Sequence, residues 1–312
     1  MKNGVILDTM FDSFLFTAEP NYLYAYGDTS GDSGFREMTK KDWYDFIHNK
    51  LFIDGMNVDA LDSAVGKIKS ALGLSDYKVS VIFTLFYPVR LATDFGEVDG
   101  KRLNLTFLED RKSAVKWMID EYISAFEENG YENINLSGFY WYAESINFDN
   151  GDPDILKVIK SATDYIRSLN MVSMWLPYYT SSGYSAGRAY GFDLVAMQPN
   201  FFPEELNYPN TGSEKNLYDT AEYARRFNMG VMIESGGTES NSVLNLKKYY
   251  RAGIETGYVN AFNAYYMRKG PKIISDMYLS ANLYVHSAYD ETYKFIKISC
   301  IPVILFGATV NP

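Results

Sequence analysis

Two glutamates stand at the ends of apolar runs that contain few other charges: Glu144 in "GFYWYAES" and Glu234 in "GVMIESGG". Paired carboxyls are what cleavage of a glycosidic bond requires. Its oxocarbenium-like transition state wants a negative group on one face and a proton donor on the other. The two carboxyls must differ in pKa, and a crowded aromatic setting such as Tyr140–Tyr142 raises the one that keeps its proton. On this reading Glu144 is the general acid/base and Glu234 the nucleophile. Carboxyls about 5–5.5 Å apart would give retention, and about 6.5–9.5 Å would leave room for the water of inversion. Either glutamate alone reads better as a strand-end residue paired with Lys or Arg. Their occurrence together carries the catalytic reading.

The aromatic residues around them suit the same ligand class. The chain has 27 Tyr, 20 Phe and 4 Trp. Tyrosine joins a flat apolar face to a hydrogen-bonding tip, which fits polar ring-shaped ligands, although such an excess also arises from compositional bias. Tyr87, Tyr140, Trp141, Tyr142, Trp175, Tyr178, Tyr179, Tyr265 and Tyr266 are candidates to face sugar C–H groups, with Gln198, Asn200 and Asn263 for hydroxyls. Alternate residues of a strand point to opposite faces, so about half of these aromatics must be packing.

The elements that would position these residues alternate along the chain. Strands are expected at 5–16, 78–88, 135–142, 172–179, 192–199, 229–234 and 258–266, and most lack polar/apolar alternation, as parallel strands covered on both faces do. Helices are expected at 58–72, announced by Asn57 as cap, and at 108–130, stopping at a glycine. A third follows Asp152 as N-cap and Pro153, with Ile155, Val158, Ile159, Ala162, Ile166 and Leu169 on one face. Residues 214–227, 240–256 and 271–283 continue the series. "YGDTSGDSG" (26–34) reads as a loop and "DFGEVDGKRL" as a hairpin or loop turning at Asp99-Gly100.

This alternation predicts an α/β fold with a parallel sheet. A (β/α)8 TIM-type barrel fits better than an open doubly wound sheet. No Gly-rich phosphate turn follows the first strand, and the strand ends carry the polar and aromatic residues, as at a barrel mouth. Only seven inner strands are found. The barrel therefore lacks its first strand or replaces it with the apolar run "KISCIPVILFGA" (297–308). With that place reserved, Glu144 follows the fourth strand and Glu234 ends the seventh. The domain reading is one barrel domain over 1–296 and a C-terminal apolar extension over 297–312.

Several function classes are excluded. A net charge of −10 argues against nucleic acid and anionic membranes, which need clustered Lys and Arg. The single cysteine, Cys300, and the two separated histidines, His48 and His286, leave no thiolate or histidine metal cage, and no cofactor is expected. No run reaches the roughly 20 apolar residues of a membrane span. The opening "MKNGVILDTMF" does not read as a signal peptide, so the expectation is a cytoplasmic chain or one given without its leader. "GYSAG" (183–187) matches the nucleophile-elbow pattern, but it lies several residues beyond its strand and no helix follows it. "DNGDPD" (149–154) is oxygen-rich without the spacing of a calcium loop.

The motifs "NVDALDSAVGKIKSALG", "LEDRKSAVKWMIDE", "LSGFYWYAESI", "WLPYYTSSGY", "FDLVAMQPNFF" and "MGVMIES" together resemble a bacterial family known as Domain of Unknown Function 4855, from about Phe11 to Ile296. The resemblance implies an extracellular or cell-surface protein associated with polysaccharides and a glycoside-hydrolase-like role. Two departures matter. Family members carry an additional N-terminal strand, and "SCIPVILFGATVNP" lies outside the family pattern. The large clan of barrel glycosidases has Asn before its acid/base, where this chain has Ala143. Two functions follow as expectations: a two-carboxylate, retaining glycoside hydrolase, or a catalytically silent carbohydrate-binding barrel.

Overall fold

The computed structural model describes residues 5–18, 37–146, 152–201, 212–268 and 270–298, together with the backbone of 304–309. The 26–34 loop and residues 299–303 of the C-terminal run lie outside these. The strands are β1 Ser13–Thr17, β2 Val79–Leu85, β3 Gly96–Val98, β4 Lys101–Leu103, β5 Ile134–Trp141, β6 Val172–Trp175, β7 Leu194–Met197, β8 Gly230–Ser235, β9 Asn263–Met267 and β10 Ile304–Thr309. The helices are α1 Lys40–Phe46, α2 Asn57–Leu72, α3 Leu108–Asn129, α4 Ile155–Ser168, α5 Lys215–Phe227, α6 Ser240–Thr256, α7 Lys272–Leu279 and α8 Leu283–Ile298.

Seven parallel strands form a curled sheet in the order β1-β2-β5-β6-β7-β8-β9. The backbone of β10 pairs in parallel with β9 on one side and β1 on the other, so the strand order closes. With β10 in first place, β5 is fourth and β8 seventh. The separate hairpin β3–β4 turns at Asp99 and Gly100, both at positive φ.

Inside the curl sits a small core of Leu15, Ile82, Tyr140, Met174, Leu176, Ala196, Met232 and Ala264. The larger core lies between strands and helices and takes the other parity of each strand, among them Phe16, Phe83, Phe139, Trp141, Trp175, Ile233 and Tyr265. Strands filled on both faces explain the unbroken apolar runs. Gly138 has its own packing reason: a Cβ there would stand 2.1 Å from the Val172 carbonyl oxygen on β6.

Several boundaries differ from the sequence expectation. The first strand spans only Ser13–Thr17. The expected strand at 258–266 opens as a 3-10 turn, Tyr258–Asn260, and the helix expected at 271–283 ends at Leu279, with α8 starting at Leu283. Only a 3-10 turn, Tyr184–Ala186, bridges β6 and β7 among the described residues. Asn57 does not cap α2 from outside. It is the first helical residue, at φ 46, and its side chain bonds the Lys50 carbonyl.

Asp152 is not the N-cap of α4 either, because the helix begins at Ile155 and the cap position is Asp154. Its carboxylate instead pairs two-pronged with the buried Arg111 of α3, at 2.8 Å between Nη1 and Oδ1 and through Nη2 to Oδ2. Arg111 Nε donates to the Pro88 carbonyl at 3.0 Å, and the Tyr87 hydroxyl also donates to Asp152. Burial would raise the Asp152 pKa, but the bonds from Arg111 and Tyr87 outweigh it and hold the carboxyl below its usual range. The loops leaving β2 and β5 are thereby fastened together. Removing one member leaves the other charge buried and unpaired. Arg111→Met should lower unfolding free energy by about 3–5 kcal/mol in chemical denaturation. A loss below about 1 kcal/mol would mean that the pair does not hold these loops.

Candidate active site at the mouth of the curled sheet

Parallel strands bring their C-terminal ends to one face, and there Glu144 stands near enough for its charge to act on Glu234. Glu234 shares its parity with Met232, an inner-core residue, so it stands on the inner side of β8 and is 2% exposed. Glu144 lies beyond the end of β5 and is half-buried. Its backbone is pinned by the loop after β6. The Glu144 carbonyl accepts the Ser181 hydroxyl at 2.9 Å and the Tyr178 N–H at 3.4 Å, and Ile146 N–H bonds the Ser182 carbonyl. One residue earlier, the Ala143 carbonyl accepts the Trp175 indole N–H at 2.7 Å. The "YYTSSGY" segment thus serves to hold the Glu144 loop.

Burial pushes both carboxyls above their ordinary range. For Glu144 the hydrogen bond from Gln198 works against burial. Glu234 is pushed up to about 7 by burial and further raised by the charge of Glu144, against the donors that favour its ionised form. The main donor is Tyr249 of α6, whose hydroxyl reaches Oε2 at 2.6 Å. The Phe201 and Asn200 backbone N–H groups act in the same sense from longer range. Oε1 is buried with no hydrogen-bond partner in normal geometry among the described residues. The charge of Glu144 thus reaches the Glu234 carboxyl.

Strand parity sorts the remaining candidates. Tyr140 and Tyr142 point inward with their rings in contact, and the Glu144 charge helps to raise the Tyr140 pKa after burial has done so. Tyr266, opposite Glu234 on β9, is raised by burial and then by both glutamates. Gln198 lies inside, donating to the Leu176 carbonyl at 2.8 Å and bonding Glu144. Asn200 adopts a left-handed φ of 51 beside the mouth. Tyr178 is exposed.

Others are corrected by the packing. Trp141, Trp175, Asn263 and Tyr265 have the opposite parity and face the helices. Trp175 is fully buried and stacks on Phe192, and Tyr265 packs edge-on against Phe11. The Asn263 amide is spent on the Tyr258 and Ala261 carbonyls. Two further hydroxyls are committed to protein: Tyr87 to Asp152, and Tyr179 to Asp219 at 2.7 Å. Sequence reasoning missed Tyr249 and Arg111 because helical periodicity marks a residue as buried without revealing what its polar tip must meet. "GYSAG" carries no elbow. It spans the 3-10 turn, and Gly187 is the point where the Trp175 ring approaches, 2.9 Å from where a Cβ would be. Among the described residues no group of three or more His, Cys, Asp and Glu could hold a metal ion, and no helix is long and apolar enough to cross a membrane.

The family model "Domain of unknown function (DUF4855)" matches residues 1–294, and the chain belongs to that family. No curated protein matches. Among solved structures, one from Bacteroides thetaiotaomicron VPI-5482, described as a "putative alpha-L-fucosidase", is similar. It is 13% identical, with 93% of this chain and 96% of that chain covered, at a TM-score of 0.42. A likeness of that degree carries no functional argument.

The raised Glu234 pKa has a consequence for stability. The folded protein keeps a proton that the unfolded chain releases near pH 4.5, so stability is greatest at low pH and is lost as pH rises toward about 7. Glu234→Gln removes this cost. The variant should exceed the wild type by on the order of 3 kcal/mol at pH 8, with the gap closing near pH 4. A gap of equal size at both pH values in denaturant titrations would show that Glu234 titrates in the folded protein as it does in the unfolded chain.

Proposed function

We propose that this member of the DUF4855 family acts on carbohydrate, as a glycoside hydrolase using Glu144 and Glu234. The observation that carries the reading is the pair itself: two carboxyls of raised pKa, one feeling the charge of the other, where seven parallel strands end. A pair that keeps one proton near neutral pH has a donor and an anion available together, which glycosidic cleavage needs.

The donors to each carboxyl support the division of roles, and because burial raises Glu234 to about 7 in the free protein, its proton must pass to Glu144 or to water before it can attack. Glu234 accepts the Tyr249 hydroxyl, and the Phe201 and Asn200 backbone N–H groups act weakly in the same sense; donors to a carboxylate favour its charged form. That suits a nucleophile. Glu144 receives the Gln198 amide as a hydrogen bond and is the more exposed, which suits a group that gives its proton to a departing oxygen and recovers it from water. The anionic carboxyl attacks the anomeric carbon as the glycosidic bond breaks, and the leaving oxygen takes the Glu144 proton. Water then releases the sugar with Glu144 as base. Tyr142, Tyr266 and the exposed Tyr178 would supply ring faces to the sugar, and Gln198 its amide. The fold that goes with this reading is a (β/α)8 TIM-type barrel. Residues 1–296 would form its domain, and the strand Ile304–Thr309 within the 297–312 extension would take the first strand position. No step calls on a cofactor.

Glu144→Gln and Glu234→Gln should each lower glycan cleavage by several orders of magnitude while the fold survives, read as release of new reducing ends. Undiminished turnover in either variant would remove that residue from the mechanism. Glycan binding by calorimetry with no reducing-end release from the wild type would instead identify a silent carbohydrate-binding barrel.

A further inference from the structure

The two oxygens of Glu234 differ in their surroundings. Oε2 accepts the Tyr249 hydroxyl at 2.6 Å, and Oε1 is buried with no partner in normal hydrogen-bond geometry among the described residues, the Asn200 and Phe201 N–H groups adding only weak support to the carboxyl. Tyr249 is itself fully buried. Its backbone carbonyl accepts the Tyr258 hydroxyl, and its ring meets Phe201 edge-on at 5.9 Å. The Tyr249 backbone is thus tied to the turn after α6, and its ring packs against the loop after β7. An unpaired buried carboxylate oxygen is costly unless a ligand or water comes to meet it.

We infer that Tyr249 is a positioning residue for Glu234: by donating to Oε2 it commits that oxygen to the protein and leaves Oε1 as the one that meets the sugar. The inference rests on the hydrolase reading above. In that reaction Oε1 forms the bond to the anomeric carbon while the glycosidic C–O bond breaks. The bonding pair leaves with the departing oxygen, which takes the Glu144 proton. Burial keeps the Tyr249 phenol protonated far above neutral pH, so it remains a donor throughout. The other groups facing Glu234 are Glu144 beyond β5, Tyr266 on β9, and the Asn200 and Phe201 N–H groups after β7.

The test is the titration of Glu234 in protein labelled with carboxyl-13C glutamate, with E234Q to assign the resonance. In Tyr249→Phe the lost donor should move the Glu234 midpoint up by about one pH unit, at unchanged near-ultraviolet circular dichroism. Replacing Tyr249 by 3,5-difluorotyrosine, a stronger donor of almost the same shape, should move it down. Should Y249F not fold, the fluorinated protein decides alone. A Glu234 midpoint that stays in place in the folded variants overturns the inference, since a tyrosine that only packs would leave it there. On a cleaved glycan, Y249F should lower kcat at least tenfold and shift the acidic limb of kcat/KM upward. A wild type that cleaves no glycan, while the titration moves as stated, overturns the hydrolase reading and leaves the positioning of Glu234 by Tyr249 standing.

Discussion

A β-strand must present its residues alternately to its two faces, and in a curled parallel sheet one face is a narrow interior and the other lies under helices. That constraint governs the molecule. It sends Tyr140, Met232 and Ala264 inward and Trp141, Ile233 and Tyr265 outward, and so separates the two cores. It also sets Glu234 on the inner side, one residue from positions that would have put the carboxyl among helix side chains. A slip of one residue in β8 would exchange Glu234 for Ser235 or Ile233 and dismantle the pair.

Strands alone do not place Glu144, because it lies past the end of β5. Its position depends on loop contacts that no strand supplies. The carbonyls of Ala143 and Glu144 are captured by Trp175, Ser181 and Tyr178, while Asp152 at the far end of the same loop is clamped by Arg111. Trp175 therefore serves the mouth from outside the strand layer. Its indole is buried against Phe192 and only its N–H reaches back to the loop. An aromatic residue beside a candidate site can support it without touching a ligand.

The site also costs stability. Two carboxyls are held where burial and mutual repulsion oppose ionisation, and a carboxylate oxygen is left without a partner. Buried polar groups are ordinarily satisfied, and departures concentrate where a protein binds or reacts. The contrast with Arg111 and Asp152 is direct. That pair is at least as buried but fully satisfied, and the Asp152 carboxyl is held below its usual range. One buried charge cluster is arranged for stability, the other against it.

The order of strands and helices was legible in the residues because hydrophobic periodicity is local, and so was the α/β class. Helix α4 shows this well: Ile155, Val158, Ile159, Ala162 and Ile166 fall on its buried face. Glu144 and Glu234 could also be picked out as candidates, since isolated carboxyls at the ends of apolar runs are conspicuous. Which aromatics face inward could not be read. Trp175, Asn263 and Tyr265 have the right chemistry, and only the register of their strands turns them away. The role of Asp152 was hidden for a related reason: "DPD" before a helix looks like a cap until Arg111 approaches from another helix. Residue types and local spacing determined the elements and the candidate carboxyls. The pairing of those carboxyls, their raised pKa values and the hold of Tyr249 on Glu234 were decided by tertiary structure alone, because each arises from contacts between segments distant in the chain.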